Sequence, residues 1–212
     1  MEKTEIEILK KGEGYAVCFK PRGICSEGES ENDMPTLLMR SLGVKQVYPV
    51  HRLDRETAGL MVYATDKDAA AELSQAIAAG EMVKEYEAEL LGSLEENEGE
   101  LTDLLFFDRK RGRSYVVDRQ RKGVKEARLS YKVIERGAET TRVRVHLYTG
   151  RTHQIRAQFS SRGYPIKGDG RYGGGSGEMR LTAVYLSFPE PKGRKRVEFN
   201  ANAKCTMLSA KC

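Results

Sequence analysis

The sequence predicts an α+β domain, a mixed and largely antiparallel β-sheet with a few flanking helices and loops. Three observations predict it: capped helical patterns are few, strand patterns are many, and the strands are irregularly spaced. One strand, Arg142-Val143-Arg144-Val145-His146-Leu147, alternates charged and apolar residues without a break. That period puts one face on a core and the other toward solvent or ligand.

Taken in order, Tyr15-Ala16-Val17-Cys18-Phe19 reads as a short buried strand ended by Pro21 and Gly23. Residues 26–34 are polar and acidic and read as an exposed loop. Asp33 then caps a helix with Pro35 in its first turn, Leu37, Leu38 and Leu42 on one face, and Gly43 as its stop. A polar turn at 51–54 leads into a second strand, Leu60-Met61-Val62-Tyr63. Asp66 caps an Ala-rich helix over 67–79, with Ala69, Leu73, Ala76 and Ile77 sharing a face and Gly80 behind it. Beyond this the chain turns β-rich, and Thr182-Ala183-Val184-Tyr185-Leu186-Ser187-Phe188 forms a further strand ended by Pro189.

A length of 212 residues suits one domain over 1–212, with its core over about 10–190. The chain is 39% hydrophobic and 32% charged, a balance that excludes wholesale disorder and fits a soluble globular protein. No apolar run approaches the roughly 20 residues of a membrane span. The N-terminal residues lack the basic start and apolar stretch of a secretory signal. Cys18, Cys25, Cys205 and Cys212 form no C-x-x-C pair and no common zinc spacing, so reduced cysteines in a cytoplasmic protein are expected.

The net charge of +5 is modest but uneven. Residues 109–122 hold seven cations, Arg111 and Arg113 among them, and Lys192-Gly193-Arg194-Lys195-Arg196 forms a second cluster. Residues 81–103 are acidic. Such asymmetry marks either a polyanion-binding face or an ordinary solvated surface.

Three segments carry candidate chemistry. Val50-His51-Arg52-Leu53-Asp54-Arg55-Glu56-Thr57-Ala58-Gly59 is a polar connection ahead of a buried strand. Two arginines beside Asp54 favour its charged form, although an ordinary turn with surface ion pairs gives the same pattern. Lys84-Glu85-Tyr86-Glu87-Ala88 opens a strand on which Lys84, Tyr86 and Ala88 point the same way. A single tyrosine there is usually core. Thr149-Gly150-Arg151-Thr152-His153-Gln154-Ile155-Arg156 places two arginines and a histidine around a helix start, where a structural histidine is the plain alternative.

Together and in this order, the three segments resemble the RluA-type family of pseudouridine synthases (RsuA/RluA-like). Gly163-Tyr164-Pro165-Ile166-Lys167-Gly168-Asp169, Tyr172-Gly173 and Lys125-Glu126-Ala127 ahead of Tyr131 match as well, so the resemblance covers about residues 10 to 190. Ala58 stands where the family usually has Ser, and Ala157-Gln158 where it typically has Val-His. The small RNA-binding domain of S4 type found in many relatives is expected to be absent, since the catalytic strand is reached by about Tyr15.

The resemblance implies the pseudouridine synthase fold around a central RNA-binding cleft. It also implies isomerisation of uridine to pseudouridine in ribosomal or transfer RNA, by a monomer without cofactor or metal. Asp54 would be the essential carboxylate, either attacking C1′ or removing the 2′ proton. Arg156 would pair with Asp54, Ile155 would form an apolar wall, and Tyr86 would stack on the uracil. The target base must leave any stem, and Arg52 would fill the vacated space or hold a phosphate. His51, Arg151, His153, Arg111 and Arg113 are further expected RNA contacts, and both basic clusters would grip the backbone. Two rivals remain: a catalytically inactive RNA-binding protein of the same fold, and a glycosidase needing Glu56 or Asp169 as a second carboxylate.

Overall fold

The computed structural model describes residues 6–28 and 30–201. Its elements in chain order are β1 (Glu7–Gly12), β2 (Tyr15–Lys20), α1 (Met34–Leu42), β3 (Tyr48–Pro49), β4 (Ala58–Ala64), α2 (Lys67–Ala78), β5 (Val83–Leu91), β6 (Glu98–Asp108), β7 (Arg113–Val117), β8 (Val124–Arg136), β9 (Thr140–Leu147), α3 (Gln154–Ser160), β10 (Leu181–Pro189) and β11 (Arg196–Asn200), with a 3-10 turn at Gly170–Tyr172. The chain falls into two compact units, one formed by residues up to Lys84 together with those from Ala183, the other by Glu85–Thr182. Among the described residues no helix is long and apolar enough to cross a membrane.

In the first unit the strands run in the order β1-β2-β4-β10, with β3 also on β4 and β11 on β10. β4 is buried along its whole length, because β2 covers one edge and the other is shared. Val17, Leu60, Val62, Leu186 and Phe188 from these strands pack against Ala69 and Leu73 of α2. Both helices start where a short polar side chain meets the apolar period. Asp33 accepts from the Thr36 N–H and Asp66 from the Ala69 N–H, each satisfying a donor that the first turn leaves open. Gly43 closes α1 in the left-handed region at φ 69°.

Gly59, at the start of β4, has φ 126°, and a Cβ there would lie 2.2 Å from the Ala183 carbonyl oxygen. β10 crosses so closely that only a residue without a side chain fits. Gly59→Ala is therefore expected to destabilise the chain by ~2–4 kcal/mol, read as a lowered denaturant midpoint.

The second unit is an antiparallel sheet in the order β5-β9-β8-β6-β7. α3 lies on its inner face, where Ala157 packs with Leu105, Ala127 and Tyr172. The alternation read in β9 holds: Val143 and Val145 are buried, while Arg142 and Arg144 face outward. The outward arginines meet the glutamates of β5, Arg142 with Glu87 at 3.2 Å and Arg144 with Glu85 at 3.4 Å. Glu85 and Glu87 of the acidic stretch are thus neutralised by the neighbouring strand.

The loop at 26–34 differs from the expected exposed one, since Ser26 and Asp33 are buried. Each has backbone groups to satisfy, Asp33 at the α1 cap and Ser26 at Leu53. Cys18 is buried and Cys25 exposed, both as free thiols, while Cys205 and Cys212 lie outside the described residues.

Candidate functional site

Asp54 lies in the first unit on a half-buried turn closed by the Thr57 N–H donating to the Asp54 carbonyl at 3.0 Å. Its position is fixed from both sides. The Ser26 hydroxyl donates to the Leu53 carbonyl at 2.8 Å and accepts from the Leu53 N–H at 3.2 Å, so one buried side chain holds both backbone groups of the preceding residue. The Tyr63 hydroxyl donates to the Ser26 carbonyl at 2.7 Å and holds the holder. On the other side, the Lys20 ammonium donates to the carbonyls of Pro21, Ile24 and Arg55 at 2.9, 2.8 and 3.0 Å. The Gly23 N–H donates to the Arg55 carbonyl and the Arg55 Nε returns a bond to the Gly23 carbonyl. A carboxylate on such a turn has little freedom to drift from a working position.

Burial pushes the Lys20 pKa down to about 8, partly offset by the charges of Cys25, Glu56 and Asp54. The unfolded chain therefore binds more protons between about 8 and the ordinary lysine value of 10.5, and Lys20 contributes stability that rises with pH across that window. Lys20→Met should flatten this part of the profile. It also leaves three carbonyls without their donor, at an expected cost of ~2–4 kcal/mol in denaturation at neutral pH.

His51 and Arg52 flank the same turn. The His51 Nε2 accepts from the Val62 N–H at 3.1 Å, which leaves the ring proton on Nδ1. That Nδ1 is buried and has no hydrogen-bond partner among the described residues. Burial first, and then the Lys84 charge, push the His51 pKa down to about 3. The ring is neutral at working pH and continues the β3 ladder onto β4, so it offers an RNA no positive charge. Arg52 is exposed and lies 3.3 Å from Glu27.

Tyr86 and Arg156 belong to the second unit. Tyr86 is buried on β5 opposite Val145, on the same face as Ala88. Every residue of α3 from Gln154 to Phe159 is buried, Ile155 included. Arg156 forms a two-point pair with Asp169: Nε to Oδ2 at 2.7 Å and an Nη to Oδ1 at 2.9 Å, the side chains 7% and 2% exposed. A planar guanidinium matched to both carboxylate oxygens is fixed in orientation as well as in place. The pair also gives Asp169 a partner, a buried arginine that meets both of its oxygens.

Tyr172 gathers the rest of this unit around one ring. Its hydroxyl accepts from the Ser114 N–H at 2.7 Å and lies 3.0 Å from the His153 Nδ1. The guanidinium carbons of Arg113 and Arg156 sit 4.6 and 4.9 Å from the ring centre. His153 caps α3 in the left-handed region at φ 54°, a conformation unusual outside glycine and held here by Tyr172 and by Phe107 at its edge. Sequence reasoning missed Tyr172 as a site builder and considered Asp169 only as a second carboxylate, although both stood in matching motifs.

The two basic clusters fare differently. Residues 109–112 form the tip of the β6–β7 hairpin, where Asp108 accepts from the Lys110 and Arg111 N–H groups and Arg111 stays exposed. The Arg151 Nε donates to the Glu126 carbonyl at 2.8 Å. At 192–196, by contrast, Lys192 pairs with Asp66 at 3.3 Å, Arg194 with Glu81 at 3.3 Å, and Arg196 binds the Ser187 hydroxyl and the Glu81 carbonyl. The side chains of that cluster meet acids and carbonyls of their own unit. No group of three His, Cys, Asp or Glu among the described residues is placed to hold a metal.

Residues 14–161 match the family model described as RNA pseudouridylate synthase. The chain is 36% identical over 184 residues to the ribosomal large subunit pseudouridine synthase D of Pseudomonas aeruginosa, covering 82% of this chain and 55% of that protein. It is 32% identical over 208 residues to the dual-specificity RNA pseudouridine synthase RluA of Pasteurella multocida, covering 92% of each. The chain spans little more than half the length of several of the curated relatives it matches, 55%, 54% and 57% in three of them. In fold it is similar to human RNA pseudouridylate synthase domain containing 1, with a TM-score of 0.79 at 24% identity over 94% of this chain and 85% of that one.

Proposed function

The chain belongs to the RNA pseudouridylate synthase family, and from that premise we propose that it isomerises uridine to pseudouridine in ribosomal or transfer RNA, with Asp54 as the essential carboxylate. The observation that carries this reading is the family match over 14–161, which takes in the Asp54 turn and the Tyr86 strand and ends beyond Arg156. The rigid seating of the Asp54 turn by Ser26 and Lys20 supports it.

In the proposed reaction the C1′–N1 bond breaks, the uracil turns while still held, and a C5–C1′ bond forms. The C5 proton leaves to solvent and N1 takes one up, so nothing is oxidised and no water is consumed. Asp54 acts on the ribose, at C1′ or at the 2′ proton. Tyr86 stacks on the uracil with its hydroxyl toward C5, and Ile155 lines the apolar side. Arg156, oriented by Asp169, serves as the catalytic cation. Arg52 fills the space of the extruded base or holds its phosphate, and Arg111, Arg113, Arg151 and His153 meet the RNA. His51 contributes as a neutral brace of the turn. The enzyme acts as a cytoplasmic monomer.

Nucleoside mapping in cells with and without the protein tests the reading. One or more pseudouridines of ribosomal or transfer RNA should revert to uridine when the protein is removed and return with the wild-type chain but not with Asp54→Asn. An unchanged map in both RNA classes would overturn it.

A further inference from the structure

Arg113 is the one cation of the hairpin whose surroundings look built. It starts β7, half-buried, with its guanidinium carbon 4.6 Å from the Tyr172 ring centre and 5.3 Å from that of Tyr115. Stacking against rings holds a guanidinium by its flat faces and leaves its in-plane N–H groups unused. No carboxylate pairs with Arg113 and no acceptor meets its side chain among the described residues. Its Nε is buried without a partner, while the terminal nitrogens are not among the buried unpaired atoms. Other arginines of this unit find an acceptor: Arg128 pairs with Glu100, Arg142 with Glu87, Arg162 with Asp103 and Arg156 with Asp169, while Arg136, Arg151 and Arg171 bond backbone carbonyls. Among the described residues Arg113 has a rigid seat and no counter-ion.

We propose that Arg113 is a preset receptor for a single RNA phosphodiester, which it meets end-on through its terminal nitrogens, and that Tyr172 is the positioning residue that sets it. The proposal rests on the RNA-modifying reading and deepens it. Tyr172 is well suited to the task. Its hydroxyl is fixed by the Ser114 N–H, and its carbonyl accepts from the Ser160 hydroxyl at 2.7 Å. The same ring carries Arg156 at 4.9 Å, so the phosphate contact and the Arg156–Asp169 pair share one support. A shift of the ring moves both.

A guanidinium seated on aromatic faces is not replaced by an ammonium, which has neither the plane nor the fork. This separates a built receptor from a surface charge. The probe is a synthetic RNA stem–loop with one loop uridine, bound at equilibrium to the full chain and its variants. Arg113→Met is expected to weaken binding by about tenfold and to make the slope of log affinity against log salt shallower by about 0.7–0.9, the share of one phosphate. Arg113→Lys should recover little of the affinity. Tyr172→Phe keeps the ring and should bind RNA within about threefold of wild type, whereas Tyr172→Leu should lose affinity as Arg113→Met does.

The decisive arm replaces one phosphate at a time with an uncharged methylphosphonate. Wild type should lose affinity sharply at one position where Arg113→Met loses nothing further, a coupling that a structural role cannot produce. Equal losses in both proteins at every position, or an unchanged salt slope in Arg113→Met, would overturn the receptor and leave Arg113 as a cover for Tyr172. Melting curves identify a variant that has failed to fold, and Arg113→Lys then carries the cycle. If wild type shows the coupling but forms no pseudouridine, the activity reading fails and the receptor stands. If wild type binds no RNA, both fall.

Discussion

Asp54→Asn is expected to abolish isomerisation, with turnover down by on the order of 10⁴-fold or more, while the protein still folds and binds RNA. The substitution is nearly isosteric and removes only the charge and one acceptor oxygen. The turn should survive it, because backbone groups anchor it. Ser26 holds Leu53, Lys20 holds the Arg55 carbonyl, and the Thr57 N–H closes on the Asp54 backbone. Neither proposed role tolerates the amide, which is too weak a nucleophile and too weak a base. Melting temperature and RNA affinity close to wild type, beside lost turnover, would assign the defect to chemistry. A fold-wide loss would instead mark Asp54 as a structural residue.

Asp169→Ala should be the most damaging substitution for stability, at about 3–5 kcal/mol, because it leaves the buried Arg156 guanidinium with its two bonds to Asp169 gone. The cost comes from taking two charge-assisted bonds from a buried cation, and it exceeds what the pair contributes relative to an apolar replacement. Denaturant unfolding of the full chain measures it. The double variant Asp169→Leu with Arg156→Met removes both partners and should recover much of the stability without any activity. An Asp169→Ala protein as stable as wild type would show that Arg156 is compensated elsewhere and that Asp169 does not set it.

The local signals of this fold were legible in the sequence and the long-range ones were not. Asp33 and Asp66 announce α1 and α2 because a cap acts within three residues of itself. β4 and β9 are visible because burial on two faces or on one leaves a run or an alternation. β1, β6, β7 and β8 were missed, since their mixed burial gives no clean period. The supports of the site are hidden for a different reason. Ser26 and Lys20 act on residues 27 and 35 positions away, and nothing near a buried serine or lysine in sequence says which carbonyl it will meet. Likewise, the basic clusters at 109–122 and 192–196 look alike as strings. Only the fold brings Asp66 and Glu81 to the second and leaves Arg113 of the first without an acid among the described residues.

The central claim is tested most directly with RNA tritiated at uracil C5. The wild-type chain should release tritium to water from an RNA that stays intact and yields no free uracil, and Asp54→Asn should release none. Equal release by Asp54→Asn, free uracil in place of pseudouridine, or no release from any ribosomal or transfer RNA would contradict the account.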